Sequence, residues 1–307
     1  MNIITLTLNP AVDIHMRSAE CGAASEVISR NSAGKGVNLS RALHNNGIDN
    51  LCYLVVGREG CSEFLAPLEA LGMRVEYSLG EGRVRENINV QCGEYETVRQ
   101  GRAEPIARSL ICEIEERLAP KINEETVLAL SGSIPEGTDI DAVVGMLLRM
   151  REGGARLVLD CRSLSTEQTV FLKPYLIKPN EVEAAELTGI DITDTESAVR
   201  AAVALRDMGC ENVLLTLGPS GSVLASGEGI FGATVPRIDA VSSVGAGDSS
   251  IAGFIAAGVG AGSRTALALA MAYGAAACLE EGSLPPSPKN VAWLKDSILI
   301  EKICTKM

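Results

Sequence analysis

The 307-residue chain is acidic, with a net charge of −12, 46% hydrophobic residues and only 3% aromatic ones. That balance argues against nucleic acid or an anionic membrane as a partner, and any anionic substrate would need a local basic pocket. The length suits one large α/β domain or two smaller ones, with a core of Ala, Val, Leu and Ile. Nine cysteines are scattered and none forms Cys-x-x-Cys. A reduced, cytoplasmic chain is therefore expected rather than a disulfide scaffold or zinc site. No basic leader precedes the first strand-like stretch, and no apolar run is long enough to cross a membrane.

Residues 2–8 are β-rich and stop at Asn9-Pro10-Ala11-Val12-Asp13. Polar side chains at the carboxyl end of a strand suit a ligand site in an open parallel sheet; an Asx-turn is the plain alternative. Residues 14–33 lack helical periodicity and are expected as short strands. Ala33-Gly34-Lys35-Gly36-Val37-Asn38 then opens a helix. It fails as a Walker A loop, because Gly36 follows the lysine, and as a dinucleotide fingerprint, because Leu39 replaces the last glycine. It remains a helix start bearing one cation.

A buried strand at 51–57, a helix at 61–71 and a weak strand at 73–79 follow. Residues 83–91 alternate with period two, and 94–100 suit a hairpin partner. These stretches, with 14–33, form a small sheet outside the main rhythm, made basic by Arg83, Arg85, Arg99 and Arg102. From 106 the alternation is regular: helix 106–119, strand 126–131, helix 139–152, strand 155–160 and strand 174–178. Helix 195–208 and strand 212–217 come next, then a hairpin near 222–235. Helices are expected at 264–281 and 288–301. Strands alternating with helices predict a parallel sheet covered on both faces, without repeats or a composition break.

Ser242-Ser-Val-Gly-Ala-Gly-Asp-Ser-Ser250 is the stretch the rest serves. Gly245, Ala246 and Gly247 leave backbone N–H groups open at the start of a helix, where an anion is favoured. Asp248 in the same place makes sense as the base for an attacking hydroxyl. Together they read as a phosphoryl-transfer site. The pentapeptide by itself is equally compatible with a loop ending in an ordinary N-cap.

Context favours the first reading. Val244-Gly-Ala-Gly-Asp-Ser249 and Ala33-Gly-Lys-Gly-Val-Asn38 resemble the two signatures of the ribokinase-like (PfkB) carbohydrate kinases. Thr-Leu-Asn-Pro-Ala-Val-Asp, Ser-Gly-Ser-x-Pro, Lys-Pro-Asn-x-x-Glu and Leu-Gly-x-x-Gly fall in the family's order, nearly end to end. The branch is that of 1-phosphofructokinase and tagatose-6-phosphate kinase. The resemblance implies a three-layer α/β/α fold with a mostly parallel central sheet and a small β-sheet lid from about 10–32 and 83–103, all within one kinase domain.

It also implies roles. Asp248 is the expected base, and the backbone of Gly245, Ala246, Gly247 and Asp248 the anion hole. Asp13, Gly34, Lys35, Asn38, Arg85 and Asn87 are expected at the sugar phosphate, with Lys35 and Arg85 reaching its phosphate. Lys178, Asn180, Thr216, Gly218, Gly221 and Ser243 are expected at ATP. Asn180 and Glu183 would organise Mg²⁺, mostly through water. A homodimer through the lid is expected.

The lid departs from many relatives: Val84-Arg-Glu-Asn-Ile-Asn89 has no following lysine, and Glu86 adds a negative charge. Fructose 1-phosphate is the best guess for the acceptor, with tagatose 6-phosphate or another sugar as the alternative. A non-catalytic sugar-phosphate sensor is less favoured, because Asp248 and its glycines are all present.

Overall fold

The computed structural model describes residues 1–18, 25–92 and 95–304. Its elements run in chain order as β1 (Asn2–Thr7), β2 (Ala11–Ser18), β3 (Ser25–Ala33), α1 (Lys35–Asn45), β4 (Leu51–Glu59), α2 (Cys61–Ala70) and β5 (Arg74–Arg83). Next come β6 (Arg85–Cys92), β7 (Tyr95–Gln100), α3 (Arg108–Leu118), β8 (Thr126–Ser131), α4 (Ile140–Glu152), β9 (Arg156–Asp160), α5 (Thr166–Phe171) and β10 (Leu176–Ile177). The remainder is α6 (Glu181–Thr188), α7 (Thr195–Asp207), β11 (Asn212–Thr216), β12 (Ser222–Ser226), β13 (Gly229–Thr234), α8 (Ala246–Ala256), α9 (Ser263–Ala277), α10 (Pro288–Lys295) and β14 (Leu299–Ile303).

Ten strands form one sheet in the order β14-β13-β12-β11-β10-β9-β8-β1-β4-β5. The run from β5 to β11 is parallel, and β12, β13 and β14 complete it antiparallel. The buried strands are apolar on both faces, as a sheet covered twice requires. Ile4, Leu6, Leu128, Leu130, Leu157 and Leu159 pack under α3, α4 and α7. Ile3, Val127, Ala129 and Val158 face the other way, toward α1, α8, α9 and α10. Each such Ile, Leu or Val side chain contributes about 1.5–3 kcal/mol when fully buried. The result is the expected three-layer α/β/α arrangement.

From β1 the chain goes to β4 on one side of the sheet and later to β8 on the other. The crevice beyond the carboxyl ends of β1 and β8 is therefore the topological switch point where open α/β sheets take ligands. The separate four-stranded sheet, in the order β3-β2-β6-β7, stands at this crevice. It is built from Ala11–Ser18, Ser25–Ala33, Arg85–Cys92 and Tyr95–Gln100; residues 19–24 and 93–94 of the expected segments lie outside the described residues.

Some boundaries differ from expectation. The closing helix stops at Lys295, and β14 follows instead, adding to the edge of β13. The β-branched Ile298, Ile300 and Ile303 favour that pairing over continued helix. The strand expected at 174–178 shrinks to Leu176–Ile177, because Pro174 and Pro179 bracket it and supply no ladder N–H. The short helix α5 was not expected. Cys92 is disulfide-bonded, so an all-reduced chain is not what is found, whereas Cys52, Cys61, Cys112, Cys161, Cys210, Cys278 and Cys304 are free. Among the described residues no helix is long and apolar enough to cross a membrane.

Helices α8 and α9 cross with almost no gap. A Cβ on Gly253 would meet the Leu269 carbonyl oxygen and lie 2.9 Å from Ala270 Cα. Gly253→Leu is expected to lower stability by about 1–3 kcal/mol through overpacking, which urea unfolding would show as a lower midpoint with unchanged slope.

Candidate active site

The chain reaches α8 through Gly245, whose φ of 78° is a left-handed conformation that glycine adopts at least cost. The first α-helical bond runs from Ser249 N to the Gly245 carbonyl at 2.9 Å, and Ala246 N bonds the Ser243 carbonyl at 3.3 Å. The amides of Gly247 and Asp248 lie before that first helical bond, at the positive end of the helix dipole. Lys178, only 6% exposed, sits against the same point: a Cβ on Gly247 would be 3.1 Å from its Nζ. A side chain at 247 would displace that ammonium.

Asp248 is 6% exposed and accepts a hydrogen bond from Asn38 Nδ2 at 2.9 Å. Burial, reinforced by the charge of Asp160, pushes its pKa from the ordinary carboxylate range to about 7. Asn38, Lys35 and Lys178 pull in the opposite direction and lose. A carboxylate poised there can accept a proton near neutral pH.

Asp160, 5% exposed at the end of β9, binds Lys35 Nζ at 3.1 and 3.3 Å and accepts from Ser131 Oγ at 3.4 Å. Burial alone would lower the Lys35 pKa. Asp160, with Asp248 and Glu183, more than offsets that and holds the ammonium above its ordinary value. Lys35 is therefore a fixed cation at the crevice.

Gly34, the residue before α1, has φ 132°, and a Cβ there would be 3.2 Å from Pro10 Cα. On the lid, Arg85 donates to the Asn9 carbonyl at 3.1 and 3.3 Å and to Asn87 Oδ1 at 3.3 Å. Asn87 Nδ2 in turn donates to Asp13 Oδ1 at 2.8 Å. Burial raises the Asp13 pKa, opposed by Asn87, His15 and Arg85. Burial lowers that of Arg85, opposed by Asp13. Asn9 Oδ1, Asn38 Oδ1 and Thr7 Oγ1 are buried acceptors without a hydrogen-bond partner, which suits a ligand rich in hydroxyl donors. Glu86 does not oppose an anion from this side, because it alternates away from Asn87 and pairs with Arg30 at 2.7 Å.

On the other side, Asn180 and Glu183 cap α6 reciprocally: Glu183 N donates to Asn180 Oδ1 at 2.9 Å, and Asn180 N to Glu183 Oε2 at 3.0 Å. Arg162 holds Glu183 Oε1 at 3.0 Å. Thr216 pairs with Asn180 in a parallel bridge, which sets the two loops side by side. Gly218 and Gly221 close a tight turn with φ 52° and 101°, and a Cβ on Gly221 would collide with the Ala233 carbonyl. Ser243 is exposed just before α8.

The crevice thus joins Lys35, Asn38, Asp248 and Lys178, with Asp13, Arg85 and Asn87 on the lid and Asn180, Glu183 and Thr216 across from them. Asp160 and Arg162 were not anticipated. Asp160 was detectable as a charged residue ending an otherwise apolar strand, but Arg162 follows no pattern.

A buried carboxylate beside two cations and the amide-lined start of a helix is an arrangement suited to phosphoryl transfer. The pfkB family carbohydrate kinase pattern matches residues 3–290. The 1-phosphofructokinase of Bacillus subtilis (strain 168) is 31% identical over 258 residues, covering 83% of this chain and 84% of that protein. The 1-phosphofructokinase of Escherichia coli (strain K12) is 28% identical over 259 residues, covering 82% and 83%. Phosphofructokinase-2 from Escherichia coli, solved in complex with substrates and products, superposes with a TM-score of 0.86 at 22% identity, covering 97% of this chain and 99% of that one. The chain belongs to the pfkB family of carbohydrate kinases and is an ATP-dependent sugar kinase resembling 1-phosphofructokinases.

Because the folded state holds Asp248 protonated up to about pH 7 and the unfolded chain only to about 3.8, its contribution is full below pH 4. It is lost as pH rises through 7. Asp248→Asn is expected to gain stability relative to the parent between pH 4 and 7 and to level off above, as denaturant titrations across that range would measure.

Proposed function

We propose that the chain transfers the γ-phosphoryl group of ATP to a primary hydroxyl of a ketohexose phosphate, with fructose 1-phosphate as acceptor and fructose 1,6-bisphosphate as product. The observation that carries this reading is the buried Asp248, tuned to about 7 and held by Asn38 at the start of α8. Curated relatives described as 1-phosphofructokinase across most of the chain support the choice of acceptor.

In this reading Asp248 Oδ takes the proton of the acceptor hydroxyl as its oxygen attacks the γ-phosphorus. The bond from that phosphorus to the β–γ bridging oxygen breaks, and the electron pair leaves with ADP. The amides of Gly247 and Asp248 and the Lys178 ammonium meet the charge on the transferring group; one such donor is typically worth about a hundred- to a thousandfold in rate. The Ala246 amide joins them only by releasing Ser243. Lys35 and Arg85 receive the phosphate the sugar already carries. Asp13, Asn38 and the unpartnered oxygens around Asn9 hold its hydroxyls.

Thr216, Gly218, Gly221 and Ser243 border the nucleotide. Asn180 and Glu183 offer only oxygen ligands, which fits Mg²⁺ held largely through water and phosphates; among the described residues no cluster of three acidic, His or Cys ligands exists. Bound there, the ion would neutralise charge on the nucleotide phosphates. Closure of the small sheet over a single kinase domain would exclude water. Exposed Val27 and Ile28 on β3 support a homodimer through this lid. A cytoplasmic setting suits the substrates.

ATP turnover measured against fructose 1-phosphate, tagatose 6-phosphate, fructose 6-phosphate and free sugars tests the assignment. Turnover restricted to fructose 1-phosphate and lost in Asp248→Asn is the expected result. Preference for a free sugar would remove the roles of Lys35 and Arg85 and leave that of Asp248. Lys35→Met is expected to raise KM for the phosphosugar at least tenfold with a smaller effect on KM for ATP, as initial-rate kinetics would show.

A further inference from the structure

The small sheet carries a second concentration of positive charge, of which only Arg85 also belongs to the crevice. A cavity of about 260 Å³ is lined by Arg83, Arg85, Arg99 and Arg102, together with Glu86 and Ile88. Strand alternation separates it from the sugar side. Asn87 stands beside its strand partner Asp13 on one face, whereas Glu86 and Ile88 point to the other, where Arg99 stands opposite Ile88.

The charge there is only partly compensated. Arg83, Arg85 and Arg99 form no ion pair among the described residues, while most arginines elsewhere in this acidic chain do. Arg102 reaches only Glu136, at 3.6 Å, with both side chains almost fully exposed. The single carboxylate in the lining, Glu86, is already neutralised by Arg30 at 2.7 Å. Backbone packing draws the wall in: a Cβ on Gly101 would meet the Glu86 carbonyl oxygen and lie 2.8 Å from its nitrogen. That close approach holds the chain leading into Arg102 against β6.

We infer that this cavity is a second anion site, on the outer face of the lid, for a small molecule bearing phosphate groups. Guanidinium forks suit phosphate oxygens in paired geometry. The volume is below that of typical drug-sized pockets, so it matches a pyrophosphate-sized group better than a whole nucleotide. Arg85 borders both this cavity and the sugar side, where it holds Asn9 and Asn87. An anion drawn to Arg85 from outside therefore competes with its crevice contacts and couples the site to sugar binding.

The test is calorimetric titration of the whole chain with inorganic pyrophosphate, the crevice being filled with a non-hydrolysable ATP analogue. The parent is expected to bind pyrophosphate with an affinity that falls steeply with salt. Arg99→Ala/Arg102→Ala is expected to bind at least tenfold more weakly, and Arg99→Lys/Arg102→Lys to recover part of the loss, with unchanged thermal melts. Equal affinity in parent and alanine variant would overturn the inference. So would an alanine variant whose only change is a shift in oligomeric state by sedimentation, since the arginines would then serve contact between copies. The titration requires no turnover, so it stands or falls separately from the choice of sugar.

Discussion

Everything around the crevice answers one electrostatic difficulty: the Asp248 carboxylate is buried at a helix start with a second acid, Asp160, close by. Asp248 is removed from water, which favours its protonated form, and Asp160 adds to that tendency. Lys35 and Lys178 oppose it, and the balance settles near neutrality. Removing either lysine would leave two acids crowded at the mouth of a helix. Removing Asp160 would leave the half-exposed Lys35 ammonium without its partner. The balance therefore depends less on any one residue than on four charges held at fixed separations, three of them buried.

The fold supplies those separations by topology. Lys35 and Asn38 come from a helix that follows β3 of the lid directly. Asp160 and Lys178 come from the ends of neighbouring regions of the large sheet, and Asp248 comes from a helix on one of its faces. Contributions so distant along the chain meet only because the strands are parallel and end on the same side. Close packing of α8 on α9 through Gly253 fixes the helix start relative to the sheet.

Much of this was legible beforehand. The alternation of strands and helices announced the layers, and the glycines around Asp248 and Lys35 announced backbone-lined helix starts. Asp160 was visible as a charged residue at the end of an apolar strand, but its partner Lys35 lies on a distant helix that no local pattern connects to it. The capping of α6 by Asn180 and Glu183 follows a known spacing, yet which oxygens remain available depends on Arg162, which no local pattern connects to Glu183. Glu86 looked adverse to a phosphosugar because sequence alone did not fix which face it would take. The misjudged closing helix shows the same limit, since Leu299–Ile303 becomes a strand only because β13 has an edge to offer.

The meeting of Gly34 with Pro10 has a separate consequence. The polypeptide leaves the body at Pro10, builds β2 and β3, and returns at Gly34 to the spot it left. An excursion whose ends already touch imposes little closure entropy on the rest of the molecule, and lengthening it adds cost only logarithmically. The β2–β3 half of the small sheet is in that sense an appendage on a finished frame. Its size can drift through insertion or deletion without disturbing the register of β1 or the seating of α1.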